Sequence, residues 1–364
     1  MKNLKVVLWV LFSFVASLIC MPSVNACTGF RMKAKDGTVV SARTLEFAQE
    51  LNSNIIVLPR GMAFDGMKPS NMPGLKWTSK YAAVGTNALG QPMLMDGINE
   101  KGIAVGIFYF PGYAEYSKQT PKNENRSVAP HAFPKWVLTN FATLDEIKAA
   151  LSDIVIVPTP LTASLTKEPY HYLINDSMGN AIVVEPTAGT LKVFDNPLGV
   201  ITNAPRFDWH MTNLRNYLNL DPLNSKPLKI GDLSLQQLGN GSGLLGLPGD
   251  FTPPSRFIRA AFFSQFSSPV QDAGALVLES FHVLNNFDIP RGTVVSISDG
   301  KISIEETQWM SVKDLTNKRF YIRTYDNTQI RMVDLNKFDL DAKEIKTIKL
   351  TGKTSIEDLS PPAK

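Results

Sequence analysis

Cysteine is almost missing from this sequence. Of 364 residues, only Cys20 and Cys27 are cysteines, which excludes a disulfide-stapled fold and any zinc site built on paired cysteine motifs. Histidine is nearly as scarce. The four, His131, His171, His210 and His282, stand at no metal-ligand spacing from one another or from a cysteine, so each reads as structural. Charge is sparse at 19% and almost balanced, with 37 Lys and Arg against 33 Asp and Glu. A net charge of +4 does not mark a nucleic-acid or acidic-membrane partner, and an apolar content of 44% excludes a disordered chain. No apolar run beyond residue 26 approaches the ~20 residues of a membrane-spanning helix, and none is expected to insert stably. Internal repeats and low-complexity tracts are absent as well.

What is present begins at the first residue. Met-Lys-Asn-Leu-Lys is followed by an apolar stretch from Val6 to Cys20 and then by Val24-Asn25-Ala26. A basic start, a hydrophobic middle and a small-x-small exit are the three parts of a secretory signal. The expectation is a cleaved signal over 1–26, an exported protein, periplasmic or secreted, and one domain over 27–364. Cys20 leaves with the signal, so a single thiol remains, and it sits on the new first residue. A terminal cysteine carries a nucleophilic sulfur and an α-amine that can act as its base. Two other readings stay open at this point. A lipidated cysteine would anchor a non-catalytic binding protein, because lipid would cap the sulfur. A buried structural thiol is the second.

The pattern along the chain alternates between strands and helices. Thr28 to Phe47 reads as strand, turn at Lys35-Asp36-Gly37, strand. Further strands are predicted at Asn54–Leu58, Ala82–Thr86, Met93–Met95 and Ile103–Phe110, with turns at Asp96-Gly97 and Glu100-Lys101-Gly102. Pro130 to Phe141 reads as helical, and Thr143 caps a second helix. Tyr170–Ile174 and Ala181–Glu185 form a hairpin, and Leu191–Phe194 and Gly199–Thr202 add strands. Ser255–Phe266 and Val270–Leu284 are helical by pattern. Val294–Ile297, Gln308–Val312, Arg319–Thr324 and Gln329–Val333 alternate as strands, and the tail from Ser355 to Lys364 reads as loose. The stretch 219–253, rich in Gly, Pro, Leu and Asn, reads as a long excursion from the core. Within it, Gly241-Ser-Gly243-Leu-Leu-Gly246 matches a dinucleotide fingerprint only as text, because no strand precedes it and Pro248-Gly249 follows at once. Strands, then helices, then strands suit an α+β fold with helices covering stacked antiparallel sheets.

Several short motifs then fall in order. They are Cys27-Thr28-Gly29-Phe30, Ala42-Arg43-Thr44-Leu45-Glu46-Phe47, Asn99-Glu100-Lys101-Gly102, Ile201-Thr202-Asn203-Ala204-Pro205 with Phe207-Asp208-Trp209-His210, and Gly246 to Phe257. In this order and spacing, the chain from Cys27 onward resembles the choloylglycine hydrolase family. That family belongs to the N-terminal nucleophile hydrolases and contains bile salt hydrolases and penicillin V acylases.

The resemblance implies a four-layer αββα sandwich and an amide hydrolase that works through a Cys27 thioester, without a metal or cofactor. Arg43 matches an arginine beside the nucleophile, expected to stabilise the thiolate and hold the carboxylate at position 46. Glu46 stands where the family commonly has aspartate, one methylene longer; a solvent-facing glutamate is the alternative. Asn203 matches the asparagine whose side-chain N–H stabilises the oxyanion, and Arg256 matches a second site arginine. Tyr109 falls where penicillin V acylases carry tyrosine and bile salt hydrolases carry asparagine. Its backbone N–H would complete the oxyanion hole while its ring lines the pocket. The expected partner is a small N-acyl amide. Penicillin V comes first, conjugated bile salts second and N-acyl homoserine lactones third. Family members often form tetramers through an extended loop, for which 219–253 is the counterpart.

Overall fold

The structure is a computed structural model that describes residues 26–161, 168–298 and 300–360. The expected signal lies, up to its last residue, outside the described residues, as does the end of the tail. Two antiparallel sheets dominate. The five-stranded sheet runs Cys27–Lys33, Val39–Glu46, Thr307–Asp314, Arg319–Thr324 and Asn327–Asp334 in spatial order. The eight-stranded sheet has at its centre Tyr170–Asn175, Ala104–Tyr109, Gln91–Asn99 and Ala83–Ala88. The helices Pro253–Phe266 and Ala273–Leu284 pack on the first sheet, and Phe133–Asn140 packs on the second. The order is therefore helix, sheet, sheet, helix, the expected αββα sandwich.

The strand Val39–Glu46 is buried at every position. It is paired on both edges and covered on both faces, which is why its sequence does not alternate. Its partner Cys27–Lys33 places Cys27 opposite Leu45, and the N-terminal end of that strand is thereby fixed at the edge of the inter-sheet core. Gly29 allows the two sheets to meet here. A Cβ on it would lie 2.6 Å from the Phe108 ring of the facing sheet, closer than any side chain tolerates.

The structure departs from the sequence reading at three places. Asp96-Gly97 is not a turn but the middle of the nine-residue strand Gln91–Asn99. Gly97 pairs with Gly85, where a Cβ would meet the Asp96 carbonyl oxygen at 2.0 Å. The Asp96 carboxylate is buried against Lys313 Nζ at 2.6 Å. Both residues look like turn residues and serve instead as a close backbone contact and a buried ion pair. The Gly199–Thr202 segment makes only a single bridge, Ile201 to Gly29. Short strands at Ala63–Asp65, Lys76–Thr78, Lys301–Glu305 and Lys346–Lys349 carry no run long enough to have been read. Thr143 does cap its helix, accepting the Glu146 N–H at 3.2 Å. The 219–253 excursion is an exposed hairpin, Leu228–Ile230 with Leu233–Leu235, followed by one 3-10 turn at Ser242–Leu244. The dinucleotide-like glycines fall around that turn, and no helix opens there.

Candidate active site

Cys27 is buried, 5% exposed, and is the one free cysteine among the described residues. It shares a cavity with Arg43 and Glu46, and the walls are Leu45, Phe47, Leu51, Met95, Ile107, Leu161 and the two rings Tyr109 and Tyr170. The lining is apolar except at the end that holds the sulfur. Burial pushes the Cys27 thiol up. The Arg43 charge draws it back down, Glu46 raises it through its charge and lowers it through its backbone N–H, and Arg256 lowers it further. Desolvation wins, so the resting sulfur is a thiol that needs a base.

Arg43 is 1% exposed and is no surface ion pair. Its Nη1 donates to the carbonyl oxygens of Ile107 at 2.6 Å and Met95 at 3.2 Å, and its Nε to that of Thr44 at 3.2 Å. The guanidinium lies 4.4 Å from the Phe108 ring centre, and Nη2 has no partner among the described residues. Contrary to expectation, it does not hold Glu46. Three positions apart on an extended strand, the two side chains leave from opposite faces, and the carbonyls of the second sheet claim the arginine. The Glu46 carboxyl is 1% exposed, which excludes a solvent-facing role. Its Oε1 accepts from the Thr307 hydroxyl at 3.0 Å and its Oε2 has no partner among the described residues. Burial pushes it up to about 8, against the lowering charge of Arg256 and hydrogen bonds from Thr44 and Thr307.

Asn203 and Arg256 come together on the backbone of Cys27. The Cys27 N–H donates to Asn203 Oδ1 at 2.9 Å, and Arg256 Nη2 donates to the same oxygen at 2.6 Å. Arg256 Nη1 donates to Thr28 Oγ1 at 2.8 Å and to the Cys27 carbonyl, and Nε to the Phe251 carbonyl at 2.8 Å. An arginine in the first turn of a helix opposes the helix dipole, and these four acceptors explain its place. Asn203 Nδ2 donates to the Tyr109 carbonyl at 2.8 Å, which uses one of its two protons. In this chain the Cys27 nitrogen is an amide joined to Ala26, and an α-amine at that position would meet the same Asn203 oxygen.

Of the residues that the sequence reading named, Arg43, Glu46 and Tyr109 share a cavity with Cys27, and Asn203 and Arg256 are hydrogen-bonded to its main chain; what braces them was not read. His171 Nε2 lies 3.0 Å from the Thr202 carbonyl, with Nδ1 3.3 Å from Glu185 Oε1. His210 Nε2 lies 3.1 Å from the Asn203 carbonyl and stacks on Phe257 at 4.6 Å between ring centres. Two buried imidazoles thus grip successive carbonyls of the segment that carries Asn203. The Phe207-Asp208-Trp209-His210 motif was the available signal. Among the described residues, no group of three His, Cys, Asp or Glu is arranged to hold a metal.

A sandwich of this layering, with a cysteine at the head of the strand that edges the five-stranded sheet and beside an apolar pocket, defines an amide hydrolase of the N-terminal nucleophile class. The profile of "Linear amide C-N hydrolases, choloylglycine hydrolase family" matches residues 27–348, beginning at Cys27 itself, and the chain belongs to that family. It is 38% identical over 92% of its length to all of a bile salt hydrolase/transferase from Clostridium perfringens. It superposes on a crystal structure of conjugated bile acid hydrolase from that organism with a TM-score of 0.82, at 37% identity, covering 92% of this chain and 100% of the other. A penicillin V acylase from Pectobacterium atrosepticum is 26% identical, over 82% of this chain and 78% of its own.

Proposed function

We propose that this chain hydrolyses the linear amide of an N-acyl substrate with a slender apolar acyl group, of the penicillin V type first. The observation that carries this is the Tyr109 ring, which lines the cavity beside Cys27 together with Tyr170 and suits an aryl or fatty acyl group by stacking or apolar burial. The Cys27 α-amine takes the thiol proton, and the sulfur attacks the carbonyl carbon. The second N–H of Asn203 and the backbone N–H of Tyr109 receive the oxyanion, a contribution on the order of 3 kcal/mol for a fixed donor. The amine passes its proton to the leaving nitrogen, and water then releases the acid from the thioester. Arg43 and Arg256 favour the thiolate electrostatically, while Arg256 and Asn203 fix the Cys27 main chain.

A second reading, a conjugated bile salt hydrolase, is favoured by the 38% identity to the Clostridium perfringens protein. N-acyl homoserine lactones present the same chemistry and stand third. The proposal includes export under the 1–26 signal to the periplasm or medium, and a homotetramer joined through 219–253. A lipid-anchored, non-catalytic binding protein is the rival.

The test is kcat/KM of the mature protein on penicillin V, glycocholate and a long-chain acyl homoserine lactone, side by side. Preference for penicillin V or the lactone supports the Tyr109 reading, and preference for glycocholate replaces it with the second. Tyr109→Asn should shift the penicillin V to glycocholate ratio toward glycocholate by about tenfold, the scale of a changed pocket contact.

A further inference from the structure

A carboxylate that no described residue satisfies lies next to the cleavage point. Glu305 ends the strand Lys301–Glu305 with its side chain wholly buried, yet neither Oε1 nor Oε2 has a hydrogen-bond partner among the described residues. Burial pushes it up to about 7; what draws it down is the Arg256 charge and, less, the backbone N–H of Ala26, which lies near the carboxylate without reaching hydrogen-bond geometry. Glu305 is thus beside the residue that cleavage removes. The ladder explains how. The Ala26 carbonyl accepts the Glu46 N–H at 3.0 Å, Glu46 pairs with Thr307, and Glu305 is two residues before Thr307. A buried carboxylate without a partner is costly, and no cation among the described residues is hydrogen-bonded to it.

We propose that Glu305 is a positioning residue for the Cys27 α-amine, its carboxylate pairing with the ammonium form once Ala26 is gone and holding it at Asn203 Oδ1. The inference rests on the reading that cleavage makes Cys27 the first residue. The displacement it needs is short, since consecutive residues are about 3.8 Å apart and the glutamate side chain closes such a gap by rotation. The Arg256 charge acts on both buried carboxylates, drawing down Glu46 and Glu305 alike. The other titratable groups around the amine are Tyr109 and Tyr170 of the facing sheet. A carboxylate beside the amine raises its proton affinity. The amine becomes a stronger base toward the Cys27 thiol, whose proton burial makes hard to remove.

Without Cys20 the mature chain has one cysteine, so 15N-cysteine labels the α-amine alone. Its 15N shift, followed against pH, reads the amine directly and needs no substrate. Intact mass comes first: a chain that retains Ala26 overturns both this inference and the N-terminal nucleophile reading. With Cys27 first, Glu305→Gln should lower the titration midpoint by about one pH unit. A midpoint that stays in place, whatever happens to stability or turnover, overturns Glu305 alone. If Glu305→Gln does not fold, the parent decides. Its midpoint must lie above the ordinary α-amine range of about 7.7–8.0, and one within or below that range overturns the inference.

Discussion

At the scale of single residues, the site is a set of buried polar groups whose partners are main-chain atoms. Arg43 binds three carbonyls, and Arg256 binds two carbonyls, a hydroxyl and an amide oxygen. Neither depends on a carboxylate for its place, so each stays fixed while the charge on sulfur changes. His210 shows what such burial means for stability. Desolvation lowers its pKa to about 4, well under the ordinary imidazole value of about 6.5. Between those two pH values the unfolded chain binds a proton that the folded chain refuses. This contribution is therefore present above about pH 6.5 and is lost as pH falls toward 4, with a ceiling of ~3 kcal/mol. His210→Phe keeps a ring on Phe257 and removes the titration. Denaturant unfolding at about pH 7 and about pH 4 should show a smaller stability gap for the variant than for the parent, by up to ~3 kcal/mol. An equal gap would mean that the imidazole is protonated in the folded protein.

At the scale of elements, the strands are held apart or together by a few small residues. Gly85 faces Gly97 so closely that Gly85→Ala must push apart the backbones of Ala83–Ala88 and Gln91–Asn99. Overpacking of this kind costs about 1–3 kcal/mol or more, and thermal or denaturant unfolding of the variant should show at least that loss. The same contact explains why this pair of strands was partly illegible. Propensity reads Asp96-Gly97 as a turn, whereas the backbone approach and the Asp96–Lys313 pair exist only between strands far apart in the chain, where no local pattern records them. Arg319–Thr324 and Asn54–Leu58 were legible to the residue because they are β-rich runs with clear ends. Helices were legible through their caps, as with Thr143. Within the site, the positions of Cys27, Arg43, Asn203 and Arg256 were visible as motifs. The histidine brace on Asn203, the separation of Arg43 from Glu46 and the burial of Glu305 depend on long-range packing and were not.

At the scale of the whole molecule, the apolar surface is distributed unevenly. Leu228, Ile230, Leu233 and Leu235 of the 219–253 hairpin are all exposed, at 58%, 59%, 59% and 43%, a patch that an isolated chain would hold in water. The tetramer reading assigns it to contacts between copies. Sedimentation velocity of the mature protein should show one large species, and negative charge placed on this hairpin, as Leu233→Glu with Leu235→Glu, should shift it to smaller ones. A monomeric parent would remove that assignment. The central claim concerns the other end of the chain: Cys27 acts with a free amine of its own. Intact mass of the active, exported protein tests it most directly, with Cys27→Ala alongside. The account predicts a chain beginning at unmodified Cys27, and an alanine variant that folds but turns nothing over. Amide hydrolysis by protein whose Cys27 is still joined to Ala26, or carries lipid, would contradict it.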